Sequence, residues 1–444
     1  MQIHQFEDTN LAHFSYAILS EGEIALVDPA RDPQPYYDYA KQNHAKIRAV
    51  IETHPHADFV SSHLEIHQTT GAIIYTSRIS GALYPHIGFD EGNELSLGNT
   101  RLVAINTPGH SPDGISILAY DEDGVEKAVF TGDTLFIGDC GRPDLRENAG
   151  AVSVQRQDLA LQMYHSLRKK LMVLSENVLV YPAHGAGSLC GKNLSAEKSS
   201  TIGAEKIKNW SLQELSEKDF VNRLLEDQPF IPKYFPFNVA LNRSGAGSFA
   251  SAVAGIRDTK LADANRLEDL PIIDTRPADQ FKKGHLKGAI NLAVDRAFET
   301  WLGSIIAPDE KFYLIGENEQ VLDQLTMRIP KIGYEQQVAG LITGDFGIEK
   351  MEVFDGSLLR RKDNLFTIVD VRNQSEVRAR ETFKDSLNIP LHELRERLDE
   401  IPTHKPIVVH CAGGYRSAAG SSIISSALAG RAQVFDLGEA VKSF

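Results

Sequence analysis

The sequence predicts a multidomain α/β protein, on three observations. The first half alternates short apolar runs with helical ones, and several of the apolar runs end in polar loops rich in His and Asp. The second half carries one unit written twice, since Ile272-Ile273-Asp274-Thr275-Arg276 is answered by Ile368-Val369-Asp370-Val371-Arg372. The length of 444 residues accommodates about two to four domains, each able to bury its own core.

In chain order, residues 23–27, 47–52, 73–76, 101–106, 114–120, 127–131 and 178–181 read as short apolar strands. They lead into Asp28-Pro29, His54-Pro55-His56, Thr107-Pro108-Gly109-His110, Thr131-Gly132-Asp133 and Pro182-Ala183-His184. Polar groups gathered at strand ends are how a layered α/β fold builds a site. Residues 157–174 read as an amphipathic helix. The stretch 229–248, rich in Pro, Phe, Asn and Gly, closes the first domain and begins a linker too aromatic to hang free. Each copy of the repeat then gives a helical stretch, an Asn-containing strand (Ala289-Ile290-Asn291-Leu292 and Ser386-Leu387-Asn388-Ile389-Pro390) and a further apolar strand (312–315 and 407–409). There the copies diverge. The second leads into Cys411-Ala412-Gly413-Gly414-Tyr415-Arg416-Ser417, the first into Gly316-Glu317-Asn318-Glu319, which has no thiol.

A formal net charge of −14 argues against a general binder of nucleic acid or anionic membrane, both of which need clustered Lys and Arg. Three widely spaced cysteines, Cys140, Cys190 and Cys411, are too few for a disulfide scaffold and read as reduced thiols of a cytoplasmic protein. The first residues have neither the basic nor the apolar region of a signal peptide, and no apolar run approaches the ~18 residues of a membrane span. The aromatic linker and the inert repeat are interface material, and a homo-oligomer is expected.

Two constellations carry chemistry. Imidazole nitrogen and carboxylate oxygen suit Zn, Fe or Mn, and the run His54-x-His56-x-Asp58 puts three such groups on one loop, joined by His110, Asp133 and His184 at later strand ends. Around Cys411, the Gly413-Gly414 pair permits a tight loop whose amides point inward at the start of a helix. That setting lowers a thiol pKa and stabilises an anionic persulfide, and Arg416 adds a fixed charge for sulfite or thiosulfate.

Thr53-His54-Pro55-His56-Ala57-Asp58, Thr107-Pro108-Gly109-His110-Ser111, Thr131-Gly132-Asp133 and Pro182-Ala183-His184-Gly185 resemble the motifs of the metallo-β-lactamase superfamily. Its dinuclear hydrolases carry His directly after the first-motif Asp; here that residue is Phe59, which cannot bind metal, so a mononuclear centre is expected. The stretch 132–144 looks like the persulfide dioxygenase branch. That resemblance implies one Fe(II) per chain held by His54, His110 and Asp133, with His56, Asp58 and His184 orienting ligands or waters. The residues themselves do not choose His54 over His56. Arg142 binds an anionic substrate group or braces its loop. Cys190 is a small buried side chain or a sulfur acceptor near the metal.

The Cys411 loop resembles the rhodanese family, and four residues between Cys411 and Arg416 make the sulfurtransferase rather than the phosphatase size of loop. Arg372 is expected to pair with a carboxylate such as Glu376. The resemblance divides the chain into a dioxygenase-like αββα sandwich (1–235), a linker (236–254), a rhodanese-like domain with Gly316 in place of the thiol (255–350) and a catalytic rhodanese domain (355–444), both of the latter with parallel sheets. It implies oxidation of a low-molecular-weight persulfide by dioxygen to sulfite, and sulfur transfer at Cys411 that makes or uses thiosulfate, with Gly413 and Gly414 against the substrate. The alternatives are a zinc thioester hydrolase of glyoxalase II type fused to a sulfurtransferase, and a sulfur-relay protein whose metal domain only docks.

Overall fold

Alternation of apolar and polar residues sets the first two strands. In His13-Phe14-Ser15-Tyr16-Ala17-Ile18-Leu19-Ser20 successive side chains face opposite sides of a sheet, and nearly all are buried. The computed structural model describes residues 1–147, 150, 154–261, 267–295, 297–344, 347 and 349–444, with the side chains of 361–363 set aside. The chain divides into two compact units, Met1–Ser251 with Pro330–Gly333, and Ala252–Ile329 with Tyr334–Phe444.

In the first unit, β1 (Gln2–Asp8), β2 (His13–Ser20), β3 (Glu23–Val27), α1 (Gln34–Gln42), β4 (Lys46–Ile51), α2 (His63–Thr70), β5 (Ile73–Thr76) and β6 (Ile87–Gly88) form one sheet and its helices. The strands run in the order β1 to β6, antiparallel up to β3 and parallel from β3 onward. A second sheet follows from β7 (Glu94–Leu97), β8 (Thr100–Asn106), β9 (Ile115–Tyr120), β10 (Glu126–Gly132), β11 (Leu179–Pro182) and β12 (Ser200–Thr201), with α3 (Arg156–Ser166), α4 (Ile202–Lys208) and α5 (Glu217–Leu225). Phe14, Val27 and Ile51 from the first sheet meet Leu102, Ile117 and Phe130 from the second in one buried cluster. Burying a side chain such as Phe130 is worth about 1.5–3 kcal/mol. The outer faces are covered by helices: Tyr36 and Ile66 pack on the first sheet, Met163 and Phe220 on the second. The result is the expected αββα sandwich.

Three differences from the sequence reading matter. Strands β1, β2, β6, β7 and β12 were not expected. The amphipathic helix is α3 followed by a π-helical turn, Leu167–Leu171. The stretch read as a linker contains α6 (Phe235–Ser244), entered through Pro236 in its first turn, where a missing N–H costs nothing. From α6, Asn242 Nδ2 donates to His56 O (2.8 Å) and Phe59 O (2.7 Å), and its Oδ1 accepts from Ser61 N (2.8 Å). The aromatic composition reflects this docking. Next comes α7 (Phe249–Arg257).

In the second unit, β13 (Ile272–Asp274), α8 (Ala278–Lys283), β14 (Ala289–Asn291), α9 (Phe298–Ile305), β15 (Phe312–Gly316), α10 (Glu319–Arg328) and β16 (Val338–Thr343) build the first copy of the repeat. The second copy is α11 (Leu359–Lys362), β17 (Thr367–Asp370), α12 (Gln374–Ala379), β18 (Leu387–Asn388), β19 (Ile407–His410), α13 (Tyr415–Leu428) and β20 (Val434–Asp436). The sheets run β14-β13-β15-β16 and β18-β17-β19-β20, and every pairing is parallel. Among the described residues no helix is long and apolar enough to cross a membrane.

Candidate metal centre and sulfur-transfer loop

Strand ends β4, β8, β10 and β11 deliver His54, His110, Asp133 and His184 to one edge of the sandwich. The donor atoms of His54, His110 and Asp133 all lie within 4.8 Å of one another, and the three side chains are buried. His110 Nε2 is 3.4 Å and His54 Nε2 4.0 Å from Asp133 Oδ2. The other ring nitrogens are tied down. His110 Nδ1–H donates to Arg142 O at 2.9 Å. His54 Nδ1 faces Thr53 Oγ1 at 3.1 Å, and that hydroxyl gives its own proton to Asp28 Oδ2 at 2.8 Å, leaving a lone pair for the imidazole N–H. Both rings thus present a bare Nε2, the tautomer a metal needs. His54 Nε2 and Asp133 Oδ2 have no hydrogen-bond partner in the protein although buried, so a cation between them satisfies atoms that are otherwise costly.

Electrostatics agrees with geometry. Burial holds the pKa of His54 well below the ordinary histidine value and lowers that of His110, so both are neutral near pH 7. Burial alone would raise Asp133, but His184 and His110 outweigh it and keep the carboxylate ionised. His184 is raised well above the usual value: burial opposes its charge, but Asp133 and Asp58 prevail. It contacts Asp133 Oδ1 through Nδ1 (2.8 Å) and Asp58 Oδ2 through Nε2 (2.7 Å).

His56 turns away from the triad, its Nε2 3.1 Å from Asp28 Oδ1 in a buried group that includes Glu52. Asp58, His184 and Cys190 make a further group of close donors. Phe59 is buried and lies on His13 (ring centroids 3.8 Å) and His56 (4.4 Å). Cys190 and Cys140 are buried thiols, pushed up in pKa first by desolvation. Arg142 is spent on its surroundings: it forks onto Asp144 (2.7 and 2.6 Å) and reaches the carbonyls of Leu189, Pro229 and Phe230. It braces its loop. Two residues at this edge escaped the sequence reading. His13 sits on a strand that was not expected, and its only signal was the alternation of 13–20. Arg146 is buried and holds Ser111 Oγ (2.7 Å) and Asp113 Oδ2 (3.1 Å), fixing the turn after His110.

In the second unit Cys411 follows β19 and is buried. Gly414 N–H donates to Cys411 Sγ at 3.1 Å. Gly414 caps α13 with φ +103, and a Cβ there would meet Glu439 N at 3.0 Å, so only glycine fits. Arg416 forks onto Glu376 at 2.6 and 2.7 Å. The expected Arg372–Glu376 pair is therefore replaced: Arg372 forks onto Asp370 (3.0 and 2.6 Å), two residues back and fully buried. Spacing alone could not rank two arginines competing for one carboxylate.

Sheet register locates the missing thiol. Asp370 pairs with His410 and Asp274 with Ile315, so Gly316 stands where Cys411 stands. The copies also share a clamp. Asn388 Nδ2 binds Asp370 O and Arg372 O (both 2.9 Å), and Asn291 Nδ2 binds Asp274 O (3.1 Å) and Arg276 O (2.8 Å). The first copy touches the Cys411 loop, as Tyr415 OH donates to Ala293 O at 3.0 Å and Arg416 lies 5.8 Å from the centre of the Trp301 ring.

The profile of the metallo-beta-lactamase superfamily matches residues 8–184, and that of the rhodanese-like domain matches 259–347 and 356–444. Among curated proteins, a cytoplasmic hydroxyacylglutathione hydrolase of Arabidopsis thaliana is 33% identical over 39% of this chain and 63% of its own length. The mitochondrial persulfide dioxygenase ETHE1 of Mus musculus is 31% identical over 40% of this chain and 64% of its own. The chain thus spans somewhat less than two thirds of these curated relatives. Among solved structures, a metallo-beta-lactamase from Staphylococcus aureus subsp. aureus COL superposes with a TM-score of 0.68 at 30% identity, over 77% of this chain and 98% of that one. Sandwich, metal-ligating edge and duplicated parallel domains agree with these matches: the chain belongs to the metallo-beta-lactamase superfamily, with two rhodanese-like domains following the metal-binding one.

Proposed function

We propose that the first domain is an Fe(II) persulfide dioxygenase and that Cys411 is the sulfur carrier of a linked sulfurtransferase. The observation that carries the reading is the donor set: two neutral imidazoles and one carboxylate converge, the set associated with non-haem Fe(II) oxygenases. When bound there, Fe(II) supplies one-electron chemistry and open positions for a persulfide and dioxygen. The protein residues do the rest. Thr53 and the Arg142 carbonyl fix the two rings, the His184 imidazolium keeps Asp133 anionic and oriented, and burial excludes bulk water. Overall, a persulfide, dioxygen and water give a thiol, sulfite and two protons. At Cys411 the thiolate attacks the outer sulfur of a second persulfide, whose S–S bond breaks to release its thiolate, and the resulting Cys411 persulfide is stabilised by the Gly414 amide and the start of α13. Attack of sulfite on its outer sulfur gives thiosulfate and regenerates the thiolate. The reverse direction makes persulfide from thiosulfate.

A zinc thioester hydrolase is the second reading. It is favoured by the similarity to the Arabidopsis thaliana hydrolase and by the group of Asp58, His184 and Cys190. Against it, Phe59 withholds a ligand and His184 faces a carboxylate at each ring nitrogen. Metal content and oxygen uptake with glutathione persulfide separate the two. About one iron per chain with rapid uptake supports the dioxygenase, whereas two zincs, no uptake and thioester cleavage support the hydrolase.

A further inference from the structure

A second set of donors, sharing no residue with the triad, comes together in the first unit. Asp28 follows β3, Glu52 follows β4, and His56 lies on the loop after β4. Each offers one ligand atom, and these atoms all lie within 4.8 Å of one another. None of the three residues is more than 2% exposed. His63, the first residue of α2, is equally buried and brings its Nδ1 to 3.7 Å from Glu52 Oε1.

The protein's own hydrogen bonds leave this set incompletely satisfied. Thr53 gives its N–H to Asp28 Oδ1 (2.7 Å) and its hydroxyl to Asp28 Oδ2 (2.8 Å), which uses about half of that carboxylate's capacity to accept. Ser61 Oγ donates to Glu52 Oε1 at 2.8 Å, while Glu52 Oε2 has no hydrogen-bond partner. His56 Nε2 comes to 3.1 Å from Asp28 Oδ1 without the alignment of a hydrogen bond, and its Nδ1 has no partner either. The same holds for both nitrogens of His63. Buried polar atoms are rarely left in this state, and here five fall on three neighbouring side chains.

Charge narrows what can satisfy them. Burial, and then Asp28, push the Glu52 carboxyl well above its usual range, so two adjacent carboxylates share their site with a cation or a proton. The buried Arg31 guanidinium, whose charge reaches His63, contacts Glu65 (3.5 Å) and the Gly247 carbonyl (2.9 Å). An ion held at about 2.0–2.2 Å by imidazole nitrogen and carboxylate oxygen brings neighbouring donors to roughly 3–3.6 Å from each other. The approach of His56 to Asp28 already has that spacing.

We propose that Asp28, Glu52 and His56 form a second, structural cation site that takes Zn(II), separate from the triad. One imidazole and two carboxylates are a set that zinc accepts, and burial closes the site to substrate. The ion ties the end of β3 to the end of β4 and the loop beyond it. Its effect reaches the triad through one chain of contacts, from Asp28 Oδ2 to the Thr53 hydroxyl and on to His54 Nδ1. The inference does not depend on which metal the triad holds.

The full chain is reconstituted with iron alone, freed of excess metal and titrated with zinc sulfate. Elemental analysis after desalting is expected to show about one zinc gained per chain with the iron retained. Anomalous diffraction at the zinc edge, from a crystal of that protein, is expected to place the ion among Asp28, Glu52 and His56. Glu52→Gln is expected to weaken zinc uptake at least about tenfold and to keep its iron. A chain that gains no zinc beyond the iron it loses overturns the proposal and leaves a shared proton in the site. A zinc peak only at the triad or at Asp58, His184 and Cys190 overturns it too, as does unchanged uptake in Glu52→Gln. Should that variant lose its iron and its fold, the position of the zinc peak in the wild type decides alone.

Discussion

His184 lies between two carboxylates, its Nδ1–H on Asp133 Oδ1 at 2.8 Å and its Nε2 2.7 Å from Asp58 Oδ2. One imidazolium thus orients a carboxylate of the candidate metal centre from behind. Replacing it, in His184→Gln, is expected to weaken iron binding about 10–100-fold, with oxygen uptake falling in step. Chelator competition measures the affinity, and restoration of uptake at high iron distinguishes loss of metal from loss of fold.

Phe59 fills the position at which a further ligand stands in dinuclear relatives of the fold. It borders a group, Asp58, His184 and Cys190, whose donors already lie within 4.8 Å. Phe59→His is expected to raise metal content from about one towards two equivalents per chain. Elemental analysis after reconstitution reads the ratio, and a ratio still at one would show that Cys190 and Asp58 do not support a second ion.

Cys411→Ser removes the proposed carrier thiol and leaves the sequence of the first unit as it is. Sulfur transfer should disappear, and oxygen uptake with glutathione persulfide should stay within about twofold of the wild type. Gly414→Ala should also impair transfer, by at least about tenfold, because φ +103 and a Cβ contact of 3.0 Å force the loop to move. The accompanying loss of stability is of order 1–3 kcal/mol.

The Arg416–Glu376 pair gives a pH signature. Burial would raise the pKa of Glu376, but Arg416 outweighs it and the folded value is depressed. A depressed carboxylate stabilises the fold above its unfolded pKa, about 4.3, and that stabilisation is lost as pH falls through the folded value. The pair is partly exposed, so its worth is at most about 1 kcal/mol. Wild type is expected to melt above Glu376→Gln at pH 7, with the gap closing below about pH 4. Calorimetry across that range tests it, and a gap independent of pH would assign the difference to packing.

Much of this was legible in the sequence because the informative residues are local. Strand, polar loop, strand is a short-range pattern, and the ends of β4, β8, β10 and β11 each carry their His or Asp within four residues. The repeat was visible because both copies keep Asp-x-Arg and a strand Asn, and the register now explains why: that Asn clamps the two carbonyls flanking the turn. What escaped was decided by contacts distant in sequence. His54 and His56 differ only in which way a loop turns. Arg142 became a brace because of the Leu189, Pro229 and Phe230 carbonyls, roughly 50 to 90 residues away. The linker became a helix because its aromatics had a surface to meet.

Asn242 carries a consequence for synthesis. It satisfies three backbone groups of the loop between His56 and Ser61, across as many as 186 residues of chain. As the protein emerges from the ribosome, that loop cannot complete its hydrogen bonding until α6 has followed it out, long after every metal-facing residue has appeared. A fragment stopped at residue 235 would carry all the ligands and still leave their loop untied; one stopped after 251 would restore the three Asn242 bonds and still lack Lys331, whose carbonyl accepts from Val60 N at 2.8 Å.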